Sequence, residues 1–367
     1  MKLKRIAGWS AAAIVVVLAA ALAIAYARSR DPCVPATGAR AGLARAVVQC
    51  RYGGPDVLRI EDVARCVPGD DQLLVRVRAA SVNPLDWHGL RGTPYLARLV
   101  MGLRYPKDPR VGVDFAGTVE AVGSKVTRFK PGDEVFGGGN GALAEYDCVG
   151  EHRVAAKPAR LGFDEAAALP VAGITALQAF RDGAKLQPGQ KVLINGASGG
   201  VGTFAVQVAK ALGASITGVC STRNVQLVRS LGADRVIDYT REDFTTTDER
   251  YDVVLDNVAN RSLSEIRRVL KPGGRYIFVA GGTGRWIDPL PRVAASWAMS
   301  RVVSQDMGFF LAHMDGDDLR VLADLVESGK VKPVIDRRYP LREAPEAIRY
   351  LEGGHARGKV IVTVDGG

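Results

Sequence analysis

The residues best placed to do chemistry form a glycine turn, Ala197-Ser198-Gly199-Gly200-Val201-Gly202. A short apolar run, Val192 to Ile194, precedes it. Thr203 to Leu212 follows, with Phe204, Val208 and Leu212 on one helical face. A buried strand, a tight glycine turn and a helix open a dinucleotide-binding βαβ unit, in which the backbone approaches a pyrophosphate whose charge rests at the helix N-terminus. The first slot of the G-x-G-x-x-G pattern holds Ala197, so the motif draws its weight from its surroundings. No Gly-Lys-Ser/Thr follows, which excludes a P-loop.

The next apolar run ends in Ser221, Thr222 and Arg223. A unit choosing NAD places Asp or Glu here, about 20 residues past the glycines, on the ribose hydroxyls. No acidic residue occurs between Thr203 and Ala233. The forked cation of Arg223 suits a 2′-phosphate instead. Both features point to NADPH.

These residues need a scaffold, and the chain of 367 residues is long enough for two domains. From Arg45 to about Pro158, short apolar runs alternate with turns such as Pro68-Gly-Asp-Asp71, which reads as an irregular β-rich domain. Phe163 to Phe180 looks helical, with an interruption at Leu169 to Gly173. Beyond the glycine turn, strands at Ser215–Cys220, Val236–Asp238, Asp252–Asp256 and Arg275–Ala280 alternate with helices at Asn224–Leu231 and Ser262–Leu270. Lys271-Pro-Gly-Gly274 reads as a turn. Such alternation predicts an α/β, parallel, doubly wound sheet. Residues 285–313 carry no clear period. Helices at Asp317–Ser328 and Ala344–Leu351 and a strand at Lys359–Val364 close the chain.

The cysteines, at 33, 50, 66, 148 and 220, contain no C-x-x-C pair, which argues against a zinc ribbon and a disulfide framework. Reduced, mostly buried thiols are expected, with Cys33 and Cys50 as exceptions should that end face an oxidising compartment. The net charge of +10 is scattered rather than clustered with aromatics, so a nucleic-acid partner is not expected. Attraction to an anionic membrane surface is the functional reading of that charge, and a soluble basic enzyme the plain one.

Ile6 to Ala27 is uncharged and rich in Ala, Val, Leu and Ile. It is flanked by Lys2, Lys4, Arg5, Arg28 and Arg30, with Trp9 and Tyr26 near its ends. At about 1.5 Å per residue a helix of this length spans a bilayer core of about 30 Å. A transmembrane anchor over residues 1–30, with a linker at 31–44, is the expectation. A cleavable signal peptide, with Ala25-Tyr26-Ala27 as its cleavage site, is the alternative. Both flanks are basic and leave orientation open. The cytosolic pool of reduced nicotinamide favours a cytoplasmic catalytic domain, and signal cleavage would mean export.

Ala168-Leu-Pro-Val-Ala-Gly-Ile-Thr-Ala176, Gly196-Ala-Ser-Gly-Gly-Val-Gly202, Leu270-Lys-Pro-Gly-Gly274 and Arg357-Gly-Lys-Val-Ile361 occur in this order after a β-rich domain. Together they resemble the medium-chain dehydrogenase/reductase superfamily, in its zinc-free quinone oxidoreductase-like branch, over roughly residues 45–367. The resemblance implies a GroES-like catalytic domain at 45–165, a Rossmann NADP-binding domain at 166–306 and a return to the catalytic domain at 307–367. Zinc members supply Cys where this chain has Asn83 and His where it has Val113. Neither residue replaces a thiolate or imidazole on zinc, so no metal is expected. Without a Lewis acid, hydride must go to an electrophilic acceptor such as a quinone or an α,β-unsaturated carbonyl.

The resemblance also implies site residues. Asn83 and Asp86 belong beside the nicotinamide as hydrogen-bonding groups. His88 stands where some quinone reductases carry Tyr, and Tyr95 is the alternative proton donor. Thr175 and Lys359 line the nicotinamide pocket, Tyr239 lies near the adenosine phosphate, and Asn257 completes the cofactor set. An enoyl-thioester reductase, with residues 286–310 lining an acyl groove, and a non-catalytic NADPH-binding membrane adaptor are the competing readings. A homodimer is expected only by analogy with the family.

Overall fold

The computed structural model describes residues 23–24, 26–27, 29, 31–33, 42–279 and 284–364. β1 (Leu43–Gln49) opens inside the expected linker and pairs antiparallel with β2 (Leu58–Ala64). β3 (Gln72–Val82) buries Leu73, Val75, Val77 and Ala79 on alternate positions. It ends at Asn83, where Pro84 starts helix α1 (Pro84–Arg91). β4 (Asp114–Val122), β5 (Glu134–Gly138), β6 (Tyr146–Gly150) and β7 (Val154–Ala156) complete the first half of a sheet built around β3.

Helix α2 (Pro170–Gln178) leads into the second unit. Its strands are β8 (Lys191–Asn195), β9 (Ser215–Cys220), β10 (Arg235–Asp238), β11 (Tyr251–Asp256), β12 (Leu270–Phe278) and β13 (Asp306–Phe309), with helix α3 (Gly200–Ala211) following β8. All pair in parallel, in the order β10-β9-β8-β11-β12-β13. The order reverses between β8 and β11, which opens a crevice at the strand ends where the glycine turn sits. Val192, Leu193 and Ile194 have no exposed surface, as a strand covered on both faces requires.

Helix α4 (Leu290–Ser300) and β13 fill the stretch without clear period. β13 pairs with β12, so the second unit runs past the expected boundary at 306 to Phe309. Helix α5 (Gly316–Glu327), β14 (Ile335–Pro340), helix α6 (Ala344–Glu352) and β15 (Lys359–Thr363) then return to the first sheet, where β15 pairs antiparallel with β3. Lys271 to Gly274 forms no simple turn. The register jumps from Tyr251–Leu270 to Val253–Arg275, so this tetrad loops out as a bulge within β12.

One apolar cluster spans both units. It joins Ala79, Ala116, Phe136 and Ile361 of the first sheet to Ile194, Phe204, Phe180 and Leu322. A separate cluster fills the remainder of each unit's core.

Cys66 and Cys148 overturn the expectation of reduced thiols, and Cys33 and Cys50, its named exceptions, are bonded as well. Cys33 bonds to Cys50 and Cys66 to Cys148, with Cα atoms 5.3 and 6.1 Å apart, and buried Cys220 is free. Separations of 17 and 82 residues leave no local spacing pattern to read. Among the described residues no helix is long and apolar enough to cross a membrane. The span expected at 6–27 lies outside them, apart from residues 23–24 and 26–27.

Candidate active site

Three strand ends converge on a buried polar cluster. In the β3–β4 register Ser81 faces Asp114, and in the β15–β3 register Val360 faces Val82, which sets Lys359 beside Asn83. Asp114 is the hub. Its Oδ2 accepts from Ser81 Oγ (2.9 Å), Asn83 Nδ2 (2.9 Å) and Lys359 Nζ (3.2 Å), and its Oδ1 accepts from Val171 N (3.0 Å) at the start of α2. Lys359 Nζ also donates to Asn83 Oδ1. The side chains of Lys359 and Asp114 are 3% and 0% exposed. A cation so buried is tolerated because a carboxylate and an amide oxygen surround it.

Asp86 sits in the first turn of α1, where its Oδ2 accepts from Asn83 N (2.6 Å). Burial pushes its carboxyl up to about 7. The Asn83 N–H pulls the other way, the charge of Asp114 adds to the rise, and Lys359 offsets part of it. The cluster therefore holds a fixed cation and a carboxyl that carries a proton near neutrality.

The other expected residues near the nicotinamide are disposed differently. Thr175 Oγ1 donates back to Val171 O (2.6 Å), so its hydroxyl proton is committed within α2. His88 stacks on Trp87 (3.7 Å between centroids), and its Nδ1 lies 3.4 Å from Thr93 Oγ1. Burial lowers its basicity and favours the neutral ring. The Tyr95 ring meets Trp286 edge-on at 5.0 Å and lies 4.7 Å from the Arg98 guanidinium. Neither His88 nor Tyr95 hydrogen-bonds to the Lys359–Asn83–Asp114 cluster.

The glycine turn touches the cluster directly. Gly358 N donates to Ser198 O (2.9 Å), Gly199 and Gly358 form a parallel bridge, and a Cβ on Gly200 would lie 3.3 Å from Lys359 Cδ. Gly196 has φ +80°, and a Cβ on Gly202 would fall 2.1 Å from Gly196 O. Ala197 is buried and Val201 packs on the same core. Around the turn, Asn224 Nδ2 donates to Ser198 Oγ (3.0 Å) and Ser221 Oγ (3.2 Å), and Asn257 Nδ2 donates to Asn195 O (3.1 Å).

Asn224 Oδ1 and Asn257 Oδ1 are buried without a partner. Orphaned acceptors beside a turn whose backbone leaves no room for a side chain at Gly202 fit a bound dinucleotide with donor groups of its own. At the far side, Arg223 is exposed and its Nη2 donates to His355 O (2.7 Å). Tyr239 is 53% exposed. Thr222 Oγ1 donates to Asp238 Oδ2 (2.6 Å), and that bond holds the Asp238 carboxyl below its ordinary range. An acid thus reaches this corner from β10, further along the chain than the acid-free stretch from Thr203 to Ala233.

The residues present do not fit zinc. The Asn83 oxygen takes the Lys359 ammonium, and Val113 offers no side-chain donor. The residues missed by sequence reasoning are Asp114, Ser81, Asn224 and Asp238. Only Asp114 carried a signal, as the one acid in the apolar run Val111–Thr118.

Comparison with known proteins agrees with this architecture. Residues 69–159 match the alcohol dehydrogenase GroES-like domain, and residues 231–362 match a domain described as zinc-binding dehydrogenase, a stretch that excludes Asn83 and Val113. A chloroplastic quinone-oxidoreductase homolog of Spinacia oleracea is 35% identical over 323 residues, covering 84% of this chain and 95% of that protein. A chloroplastic NADPH-dependent alkenal/one oxidoreductase of Arabidopsis thaliana is 36% identical over 335 residues, covering 87% and 79%. The solved quinone oxidoreductase from Coxiella burnetii superposes with a TM-score of 0.79 at 31% identity, covering 88% of this chain and all of that one. With a GroES-like unit, a Rossmann sheet and a glycine turn between its first strand and helix, the chain belongs to the quinone oxidoreductase-like branch of the medium-chain dehydrogenase/reductase superfamily and is a reductase.

Proposed function

We propose that this chain, tethered to a membrane by residues 6–27, reduces a quinone or an α,β-unsaturated carbonyl at the expense of NADPH. The observation that carries this reading is the buried Lys359 ammonium, fixed by Asp114 and Asn83 against the glycine turn. It puts positive charge in the site without a metal, which favours an acceptor whose oxygen gains negative charge as hydride arrives. When bound, the reduced nicotinamide supplies that hydride. The glycine turn, Asn224 and Asn257 hold the dinucleotide. Asp114 orients the Asn83 amide and Lys359, and Asp86 stores a proton near neutral pH.

The test is NADPH oxidation by the full chain with quinones, enones and enoyl thioesters as acceptors. Turnover confined to enoyl thioesters would move the substrate class, and tight NADPH binding without turnover on any acceptor would make the protein a binding adaptor.

The choice of NADPH rests on Arg223 and is opposed by the Asp238 carboxylate 2.6 Å from Thr222 Oγ1. Arg223→Ala is expected to weaken NADPH binding about tenfold, the loss of one charge-assisted contact, and to leave NADH binding unchanged. Equal losses in a paired titration would reject the assignment.

The two disulfides favour a second reading of sidedness, in which the folded units face an oxidising compartment rather than the cytoplasm. A reporter fused to the C-terminus, active only on one side of the membrane, decides between the two.

A further inference from the structure

Between His88 and Lys107 the sequence has no acidic residue, and between Gly284 and Gln305 only Asp288. The fold brings these segments together. Tyr95 N donates to Arg285 O (2.7 Å), and Leu96 N donates to Trp286 O (3.1 Å). Along this seam Leu99, Val100, Trp286 and Ile287 point outward, each at least 50% exposed and Val100 as much as 76%, and Trp297 is exposed on α4, the helix that follows. Arg98, Arg104 and Arg285 belong to the same two segments, and Arg301 lies over the Trp297 ring (4.5 Å). Single exposed apolar residues are ordinary on a soluble surface. Gathered on one face with cations between them, they have the make-up of a surface that meets lipid, with aromatic and aliphatic groups at the acyl boundary and guanidinium groups at the phosphates.

Tyr26, near the end of the N-terminal stretch, lies at the same face. The Arg104 guanidinium lies 5.6 Å from the Tyr26 ring centroid, at the end of the uncharged residues 6–27. Just beyond, Cys33 is bonded to Cys50. Tyr52 donates its hydroxyl to Gly102 O (2.7 Å) and carries the Arg98 guanidinium 4.3 Å from its ring centroid. The disulfide thus joins Cys33 to a segment whose Tyr52 packs on the Arg98–Gly102 edge.

We propose that this face rests on the bilayer that receives residues 6–27, its arginines meeting anionic phospholipid headgroups. The proposal builds on the tethering put forward above and adds an orientation to it. α1 runs from the buried cluster at Asn83 to Arg91, close to this face, a path of about 12 Å at 1.5 Å per residue. The acceptor is then one that partitions into lipid, a quinone or enone with a hydrocarbon tail, reaching the site without crossing water.

The experiment uses the full chain carrying Trp9→Phe, reconstituted in vesicles of phosphatidylcholine and phosphatidylglycerol with brominated acyl chains. Bromine quenches indole at the interface, so emission is expected to fall by roughly half, and the added W286F and W297F substitutions should abolish the fall. Leu99→Glu with Val100→Glu should raise the apparent KM for a long-chain quinone severalfold and leave turnover on a short, water-soluble quinone unchanged. Emission indifferent to bromine, with the chain still in the vesicle fraction, would overturn the docked face and leave the tether standing. A chain recovered outside the vesicles would overturn both. Quenching without turnover on any quinone or enone would support docking while rejecting the reductase reading.

Discussion

A lysine ammonium buried to 3% exposure survives only because Asp114 and Asn83 surround it. Removing one partner of such a pair costs about 3–5 kcal/mol. Lys359→Met alone is therefore expected to destabilise the fold strongly. Lys359→Met with Asp114→Asn removes both charges and should recover much of that loss in thermal unfolding. Turnover should stay about 10²–10³-fold down in both, the scale of a lost electrostatic stabiliser, with NADPH affinity little changed. Recovery of turnover in the double variant would show that Lys359 is structural only. Asp86 sets a pH signature. Its folded pKa, about 7, lies above the ordinary carboxyl value of 3.8, so the folded state binds the extra proton between those values. The stability this contributes is complete below the ordinary value and is lost as pH rises to about 7. Asp147, raised to about 6 by burial, adds a fall of the same sign. Melting temperatures of Asp86→Asn and the parent, measured from pH 4 to 8, should differ in slope below pH 7 and run parallel above it. Asp86 and Lys359 were legible through motif position. Asp114 showed only as a lone acid in an apolar run, and its role as the hub that fixes Lys359 was not legible, because its partners come from β3, β15 and the start of α2, which only the fold brings side by side.

The glycine turn was legible as an element because its requirement is local. A Cβ on Gly202 would meet Gly196 O at 2.1 Å and Ala197 backbone atoms at 2.7 and 2.8 Å, none of which can yield as a side chain could. Gly202→Ala should thus cost about 1–3 kcal/mol, the range for overpacking, and abolish NADPH binding in a fluorescence titration. Wild-type affinity would mean that the turn does not cradle the cofactor. Strands β8 to β11 were equally legible, each a short apolar run between turns. The stretch from 285 to 313 was not. β13 is a four-residue edge strand whose existence depends on β12 beside it, and the apolar side chains of Trp286 and Trp297 point outward rather than into a core. The Lys271–Gly274 tetrad has turn chemistry, and nothing local says that β12 pairs on both sides of it.

At the scale of the whole molecule, the shared apolar cluster and β15 join the two units. Gly358 and Lys359 give the returning strand contact with both the glycine turn and the buried cluster. The disulfides act over longer spans. Cys66–Cys148 closes 82 residues and ties the end of β2 to β6. Replacing both with Ser should lower the unfolding free energy in urea by about 2–4 kcal/mol, and an unchanged midpoint would mean that the bridge does not form. Cys33–Cys50 has a mechanical consequence. β1 pairs with β2 in a two-stranded ribbon and bonds Leu143, Glu145 and Pro109 along its other edge, and a pull along the chain from its N-terminal end would unzip these pairs one at a time. With Cys33 bonded beyond the end of β1, a load arriving from the N-terminal side bypasses that strand and enters at Cys50, so a pull there reaches the molecule without opening the ribbon.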